Sequence, residues 1–144
     1  MFITSLTQTQ YRNYSNIHNQ RNIGQTVEYS NLPINSNDKK LFLGLIDNSN
    51  NLHAATLILI KNVSPSVKEA YAPNGFLIDY SNFSLVETFT RELTKYLQQE
   101  KVTYLITNPM FKYKVGFLNY WIIVDLQYYI SFRYTVSQYF YRLY

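Results

Sequence analysis

Two apolar runs separated by a polar turn constrain the fold of this chain more than any other feature. Residues 40–47 (KLFLGLID) are followed by an Asn-Ser-Asn-Asn segment and then by HAATLILIK at residues 53–61. Both runs have the length of strands, and asparagine and serine favour turns. The pattern therefore predicts a β-hairpin. A third strand at Glu69–Ala72, ended by the Pro-Asn-Gly segment 73–75, would extend it into an antiparallel sheet.

A helix and a further strand are predicted after this sheet. Ser84 and Glu87 form a capping-box pattern ahead of apolar residues at helical spacing, which predicts a helix over residues 84–100. The residues expected on its buried face are Phe89, Leu93 and Leu97. The apolar run at residues 102–107 (VTYLIT) then predicts a buried strand, so residues 36–109 are expected to form an antiparallel sheet with this helix on one face.

Two helices are predicted before the sheet. Ser5 and Gln8 form a capping-box pattern that predicts a helix over residues 6–18, and a short helix is expected at residues 26–31, ahead of Pro33. The resulting order of elements predicts an α+β fold with a mainly antiparallel central sheet and flanking helices. The acetyltransferase-like (GNAT-type) fold is one member of this class.

Composition narrows the classes of function. A chain of 144 residues suits one domain, and the absence of cysteine excludes disulfides and thiolate metal sites. The net charge of +4 is spread along the chain, which predicts a solvated surface. His18 and His53 lack metal-ligand spacing and are expected to be ordinary surface or sheet residues, so no metal site is predicted. The first residues lack the pattern of a secretory signal, and a cytoplasmic location is expected.

Three segments resemble motifs of the Fem family of peptidoglycan bridge-forming aminoacyltransferases. Residues 24–29 (GQTVEY) resemble its glutamine-serine/threonine and aromatic motif. Residues 71–80 (YAPNGFLIDY) resemble its tyrosine-alanine-proline-arginine-glycine-proline segment with a trailing aspartate, and residues 104–109 (YLITNP) stand where the family has a strand ending in aspartate-proline. The three occur in the family's order and at its spacing.

The resemblance implies that residues 1–114 form the N-terminal acetyltransferase-like domain of a tandem pair. Such a pair transfers an amino acid from aminoacyl-tRNA to the stem peptide of lipid II or of the nucleotide-linked pentapeptide, at the inner face of the membrane and without a bound cofactor. The reaction is aminolysis of an ester. The attacking amine must be neutral, so a carboxylate or the donor's own ribose and phosphate groups must take a proton.

The same resemblance implies which residues bind the precursor: Tyr71, Asn74, Gly75 and Asp79. Asn108 stands at the candidate catalytic position, where the family usually has aspartate, and Asn74 stands where it usually has a basic residue. Both differences replace a charged side chain with a neutral amide. Asn74 lacks the positive charge that a phosphate-binding site would use, and Asn108 cannot accept a proton at neutral pH. From the residues alone, Gly75 is equally explained as a turn glycine and Asp79 as a cap for the following helix.

The resemblance ends near residue 114. Residues 115–144 are crowded with aromatic side chains and form a divergent tail, expected either to add strands, as the alternation at residues 128–134 suggests, or to be an out-of-frame extension after a truncation. A membrane helix is disfavoured because Asn119, Asp125 and Gln127 interrupt the apolar run. We expect the tail to be poorly packed, and its deletion to change thermal unfolding little.

Two alternative functions stay open. The chain could be a non-catalytic binding or remnant module that keeps the precursor-facing half of the enzyme. It could also be a small acyl-CoA-dependent N-acetyltransferase, which should carry a glycine-rich loop for the cofactor pyrophosphate. The four glycines of this chain stand far apart, which disfavours coenzyme A. As an isolated chain, it is expected to transfer amino acids very slowly or not at all.

Overall fold

The structure is a computed structural model that describes residues 1–113, 116–119 and 122–125. Within these residues the helices are α1 (Gln8–Ile17), α2 (Val27–Ser30) and α3 (Phe83–Gln99), with short 3-10 turns at Ile23–Gln25 and Pro33–Asn35. The strands are β1 (Phe2–Ser5), β2 (Lys39–Ile46), β3 (Leu52–Ser64), β4 (Val67–Ala72), β5 (Tyr104–Thr107), β6 (Met110–Tyr113), β7 (Gly116–Asn119) and β8 (Ile122–Asp125).

The described strands form a mixed, mostly antiparallel sheet in the order β1-β2-β3-β4-β5-β8, and β6 pairs with β7 apart from it. The predicted α+β class is confirmed, and so are the β2–β3 hairpin and its extension by β4. The expectation that β5 continues an antiparallel arrangement was wrong, because β5 pairs in parallel with β4. Helix α3 connects the two strands as a crossover and returns the chain to the same end of the sheet, so both strands run in one direction.

Helix α3 covers one face of the sheet, as its apolar spacing predicts. Phe89, Leu93 and Leu97 are completely buried in a cluster with strand residues such as Ile58 and Ala70. Burying a side chain of this size is worth about 1.5–3 kcal/mol. This helical face is therefore a main support of the fold.

The cap of α3 differs from the sequence prediction. The side chain of Asn82 accepts a hydrogen bond from the backbone N–H of Leu85 at 3.1 Å, so Asn82 is the N-cap. The expected capping box of Ser84 and Glu87 was wrong because the helix begins at Phe83, which places Ser84 inside its first turn. The helix itself starts and ends one residue earlier than predicted.

The N-terminal segment covers the opposite face. Leu57 and Leu59 of β3 pack with Tyr11 of α1 and Val27 of α2, whereas the alternate residues of β3 face α3. The sequence prediction missed β1, which pairs with β2 as the outer strand.

The capping residue of α1 is also not the one predicted. Ser5 belongs to β1, and the capping box is formed two residues later by Thr7 and Gln10. The backbone N–H of Gln10 donates to the Thr7 hydroxyl at 3.2 Å, and the Gln10 side chain accepts from the Thr7 N–H at 2.9 Å.

The predictions for the tail fall largely beyond the described residues. The backbone of β8 pairs antiparallel with β5, and residues 126–144, including the alternating positions 128–134, lie outside the described part of the chain. The domain boundary at residue 114 therefore stays a prediction. Among the described helices, none combines the length and the apolar character needed to cross a membrane.

Candidate functional site

The three motif segments meet at the carboxyl ends of the parallel strands β4 and β5. A Cβ atom added to Gly24 would lie 2.8 Å from Pro73 Cβ and from Asn74 Nδ2, so the first segment touches the turn after β4. A Cβ atom on Gly75 would lie 2.7 Å from Pro109 Cα, so the same turn touches the segment after β5. Segments far apart in sequence thus form one contiguous site.

The turn after β4 satisfies its own backbone donors. The N–H of Asn74 donates to Asn108 Oδ1 at 2.9 Å, that of Gly75 to the Ala72 carbonyl at 3.4 Å, and that of Phe76 to Tyr80 Oη at 2.7 Å. Three successive amides at a turn can bind an anion only if they are free. Because all three are used within the protein, this turn is not a backbone cradle for a phosphate group.

Gly75 combines two requirements for glycine. Its φ is +87°, in the left-handed region where a Cβ atom is strained, and Asn74 before it has a φ of +56°. A Cβ atom at Gly75 would also lie 2.6 Å from Tyr80 Oη. The prediction of a turn glycine agrees with this geometry, and Gly75 brings the turn close to Pro109.

Asn108 holds the turn through its side-chain amide. Its Oδ1 accepts from the Asn74 N–H and, at 3.3 Å, from the Tyr71 hydroxyl, and its Nδ2 donates to Asn74 Oδ1 at 3.2 Å. Burial, and then the nearby Tyr29, raise the pKa of Tyr71, so its hydroxyl keeps its proton at neutral pH. The structure thus brings Tyr71, Asn74 and Gly75 together with Asn108, and gives Asn108 a positioning contact.

Gln25 fixes the other side of the turn. It is completely buried, and its Oε1 accepts from the Leu57 N–H at 2.8 Å and from the Tyr11 hydroxyl at 2.9 Å. Its Nε2 donates to the carbonyls of Pro73 at 2.9 Å and Leu57 at 3.3 Å. Sequence reasoning placed Gln25 within a motif but gave it no role, because its partners are 14 to 48 residues away.

Asp79 faces a different set of residues from the other three predicted binding residues. It does not cap α3. Its Oδ1 accepts from the Ser81 hydroxyl at 2.6 Å and from the Ser81 N–H at 3.0 Å, and these bonds lower the pKa of Asp79, with His18 adding to the effect. Asp79 lines a cleft of about 380 Å³ whose other residues lie at the end of α1 and just after it.

Residues 6–120 match the sequence pattern of the FemAB family. The chain belongs to this family. It is 29% identical over 114 residues to the aminoacyltransferase FemA of Staphylococcus aureus strain MW2, a match that covers 79% of this chain and 27% of FemA. The crystal structure of FemX has the same fold over 76% of this chain and 27% of FemX, with a TM-score of 0.64 and 15% identity. The chain thus spans about a quarter of the length of these relatives.

Membership of the FemAB family confirms the resemblance drawn from the three motif segments, all of which lie within the matched residues. The two histidines lie outside these segments. His53 lies in β3 and its Nε2 is 2.9 Å from Asp47 Oδ2, at the base of the hairpin turn. Within the described residues, no three histidine, cysteine, aspartate or glutamate side chains converge as metal ligands would.

Proposed function

We propose that this chain is the part of a Fem-type aminoacyltransferase of peptidoglycan synthesis that binds the precursor, and that it forms a GNAT-type domain. The donor is aminoacyl-tRNA, and the acceptor is the stem peptide of lipid II or of the nucleotide-linked pentapeptide, at the inner face of the membrane in the cytoplasm. The observation that carries the proposal is the convergence of the three motif segments at the ends of β4 and β5. The FemA match supports the same chemistry.

The amide network favours orientation of the acceptor over proton transfer. Aminolysis needs a group that removes a proton from the attacking amine. Asn108 is an amide whose oxygen already accepts two hydrogen bonds, and Tyr71 keeps its own proton. In this proposal the proton therefore goes to the donor's ribose and phosphate groups, and these residues hold the precursor.

A non-catalytic binding module is the second candidate. It is favoured by one specific observation: the positions where the family usually carries charge, Asn74 and Asn108, are neutral and hydrogen-bonded to each other. The acyl-CoA-dependent acetyltransferase is less well supported. Its cofactor pyrophosphate needs free backbone N–H groups, and those at the turn after β4 are occupied.

Binding of the nucleotide-linked pentapeptide tests the proposal. We expect Tyr71→Phe to weaken binding about tenfold, since it removes one hydroxyl and leaves the ring in place. Tyr104→Phe is the matched control, because Tyr104 lies at the opposite end of the parallel pair and donates to Glu69 Oε2 at 2.8 Å. Calorimetric titration of the nucleotide-linked pentapeptide into the wild-type chain and both variants measures these affinities. Absence of binding by the wild-type chain, or equal losses in both variants, would contradict the proposal.

A further inference from the structure

Residues 74 and 75 form the only Asn-Gly pair in the chain, and they lie in the turn of the candidate site. The backbone nitrogen of the residue after an asparagine can attack that asparagine's side-chain carbonyl carbon. Glycine hinders this attack least because it has no Cβ atom. The positive φ of Gly75 and its close contact with Pro109 both require glycine here. The turn therefore retains the pair of residues that is most prone to deamidation.

Deamidation of Asn74 needs only water as a co-reactant. A bond forms between the Gly75 nitrogen and Asn74 Cγ, the bond from Cγ to Nδ2 breaks, and the proton of the Gly75 N–H leaves with Nδ2 as ammonia. Water then opens the resulting succinimide ring at either of its carbonyl groups. The product is aspartate or isoaspartate, and isoaspartate carries the main chain through the former side chain. Both products replace the neutral amide by a carboxylate.

Hydrogen bonds within the turn restrain both reacting groups. Asn74 Oδ1 accepts from Asn108 Nδ2 at 3.2 Å, and the Asn74 N–H donates to Asn108 Oδ1 at 2.9 Å. The Gly75 N–H donates to the Ala72 carbonyl at 3.4 Å. The attack requires the Asn74 side chain to turn towards the Gly75 nitrogen, and it requires that nitrogen to lose its proton. The bonds to Asn108 oppose the rotation, and the bond to Ala72 retains the proton.

Packing around the turn adds to this restraint. Gly75 is buried and Asn74 is half-buried, so little water reaches the Gly75 N–H. A Cβ atom on Gly24 would lie 2.8 Å from Asn74 Nδ2, which means that the backbone of Gly24 lies directly against the Asn74 amide. Asn108 is itself held by the Tyr71 hydroxyl, which donates to its Oδ1 at 3.3 Å. Among the described residues, Asn108 is the only one whose side chain hydrogen-bonds to Asn74.

We propose that Asn74 is a site of spontaneous deamidation and that Asn108 restrains this reaction in the folded chain. Local opening of the turn breaks the bonds to Asn108 and lets the Gly75 nitrogen attack, and the loss of ammonia makes the change irreversible. The modified turn carries a negative charge beside Asn108, and its isoaspartate form has an additional backbone carbon. The modification is independent of the proposed function, whereas any weakening of precursor binding by the new charge rests on that function.

Timed incubation of the full chain in mildly alkaline buffer, followed by peptide mass spectrometry, measures deamidation at each asparagine. In guanidinium chloride, Asn74 should react faster than every other asparagine, because its neighbour is glycine. In the folded chain we expect Asn74 to react at least about tenfold more slowly than in denaturant. Asn48, which precedes Ser49 in the exposed hairpin turn, is the internal reference, and its rate should change less on folding.

Variants of Asn108 test the restraint itself. Asn108→Ala removes both side-chain contacts with Asn74 and should speed deamidation of Asn74 in the folded chain about tenfold, with Asn48 unchanged. Asn108→Asp keeps the acceptor of the Asn74 N–H and loses the bond from Nδ2, so its rate should lie between those of Asn108→Ala and the wild type. Thr7→Ala, which removes the cap of α1, is the matched control for a general loss of stability and should leave the rate at Asn74 unchanged.

Three results would overturn the proposal: equal rates at Asn74 in the folded and the denatured chain, an Asn74 rate in folded Asn108→Ala equal to that of the wild type, or equal acceleration by Thr7→Ala and Asn108→Ala. The first comparison needs only the wild-type chain, so it decides even if Asn108→Ala does not fold.

A titration of the unmodified chain with the nucleotide-linked pentapeptide separates the two proposals. If deamidation of Asn74 follows the expected rates and the precursor does not bind, the proposed function is wrong and the deamidation site stands. If the precursor binds and folding does not slow deamidation of Asn74, the deamidation proposal is wrong and the proposed function stands.

Discussion

Two buried or half-buried side-chain amides determine the shape of the candidate site. Gln25 connects β3 to the carbonyl of Pro73, and Asn108 binds the N–H of Asn74 one residue later. An amide can donate and accept at once, which suits a position between two backbone segments. The turn after β4 is therefore held from both sides by uncharged groups, and its conformation should not depend on pH near neutrality.

Replacement of Gln25 by leucine should destabilise the protein strongly. The change leaves the buried Leu57 N–H and Pro73 carbonyl without their side-chain partner, at a cost of about 1–3 kcal/mol for each unsatisfied group. Chemical denaturation measures this cost. Gln8→Leu, at an exposed position of α1, should change stability by less than about 0.5 kcal/mol. Similar losses in the two variants would contradict the role given to Gln25.

Replacement of Gly75 by alanine should also be costly. Holding a residue with a side chain at this positive φ costs about 1–3 kcal/mol, and the added methyl group would also collide with Tyr80 Oη and Pro109. Asn50→Gly is an informative comparison, because Asn50 also has a positive φ but is exposed in the hairpin turn. That variant should be as stable as the wild type or slightly more so. A Gly75→Ala protein with unchanged thermal unfolding would show that the turn can rearrange freely.

At the scale of elements, the sequence predicted the helix and strands that depend on apolar periodicity. It missed the features that depend on pairing between distant segments of the chain. The buried face of α3 and the β2–β3 hairpin follow from local apolar spacing. Strand β1 has only four residues and forms because β2 offers it an edge. The parallel direction of β5 follows from the crossover through α3. Neither the presence of β1 nor the parallel direction of β5 has a signal in the local sequence.

The cap of α3 provides a direct test at this scale. The sequence favours Ser84, whereas the structure assigns the cap to Asn82. Asn82→Ala should destabilise the protein by about 1 kcal/mol, and Ser84→Ala, which lies inside the first turn, by less than about 0.5 kcal/mol. Thermal unfolding of the two variants compares them directly. A larger loss of stability in Ser84→Ala than in Asn82→Ala would support the sequence prediction instead.

The hairpin turn should make stability depend on acidity. Hydrogen bonds from the side chains of His53 and Asn51, followed by backbone N–H groups, lower the pKa of Asp47 below its ordinary value of 3.8. The Asp47 carboxyl group therefore binds a proton less tightly in the folded state than in the unfolded state. The resulting stabilisation is present above pH 3.8 and is lost as the pH falls further.

Asp47→Asn isolates this contribution. The variant should be less stable than the wild type at neutral pH, and the difference should shrink as the pH falls below 3.8. Denaturation curves across this range measure it. A difference that stays constant with pH would contradict the assignment to the Asp47 carboxylate.

At the scale of the whole molecule, the site was predicted in part. The motif segments led to Tyr71, Asn74, Gly75 and Asn108, which the fold brings together. The sequence could not show that Asp79 lines a separate cleft beside the end of α1, because that depends on how α1 ends against the loop after β4. It also could not show that the backbone donors of the turn are already used.

The isolated chain should transfer amino acids to a precursor very slowly or not at all, while still binding the precursor. Effective aminolysis requires the amine and the ester to be held in reacting geometry, an advantage of about 7–11 kcal/mol. The chain spans 27% of FemA, and its amide network contains no group that accepts a proton. We therefore expect one substrate to be held without the other.

Radiolabelled aminoacyl-tRNA, mixed with the chain and either lipid II or the nucleotide-linked pentapeptide, measures transfer separately from binding. Asn108→Asp provides a sharper arm, because its carboxylate would keep both donors of the wild-type amide oxygen, would lose only the bond from Nδ2 to Asn74 Oδ1, and would add a group that accepts a proton. If the missing base is the main limitation, this variant should transfer faster than the wild type. If geometry is the limitation, both should be inactive while binding persists. Ready transfer by the wild-type chain would contradict the prediction and show that these residues suffice for the reaction.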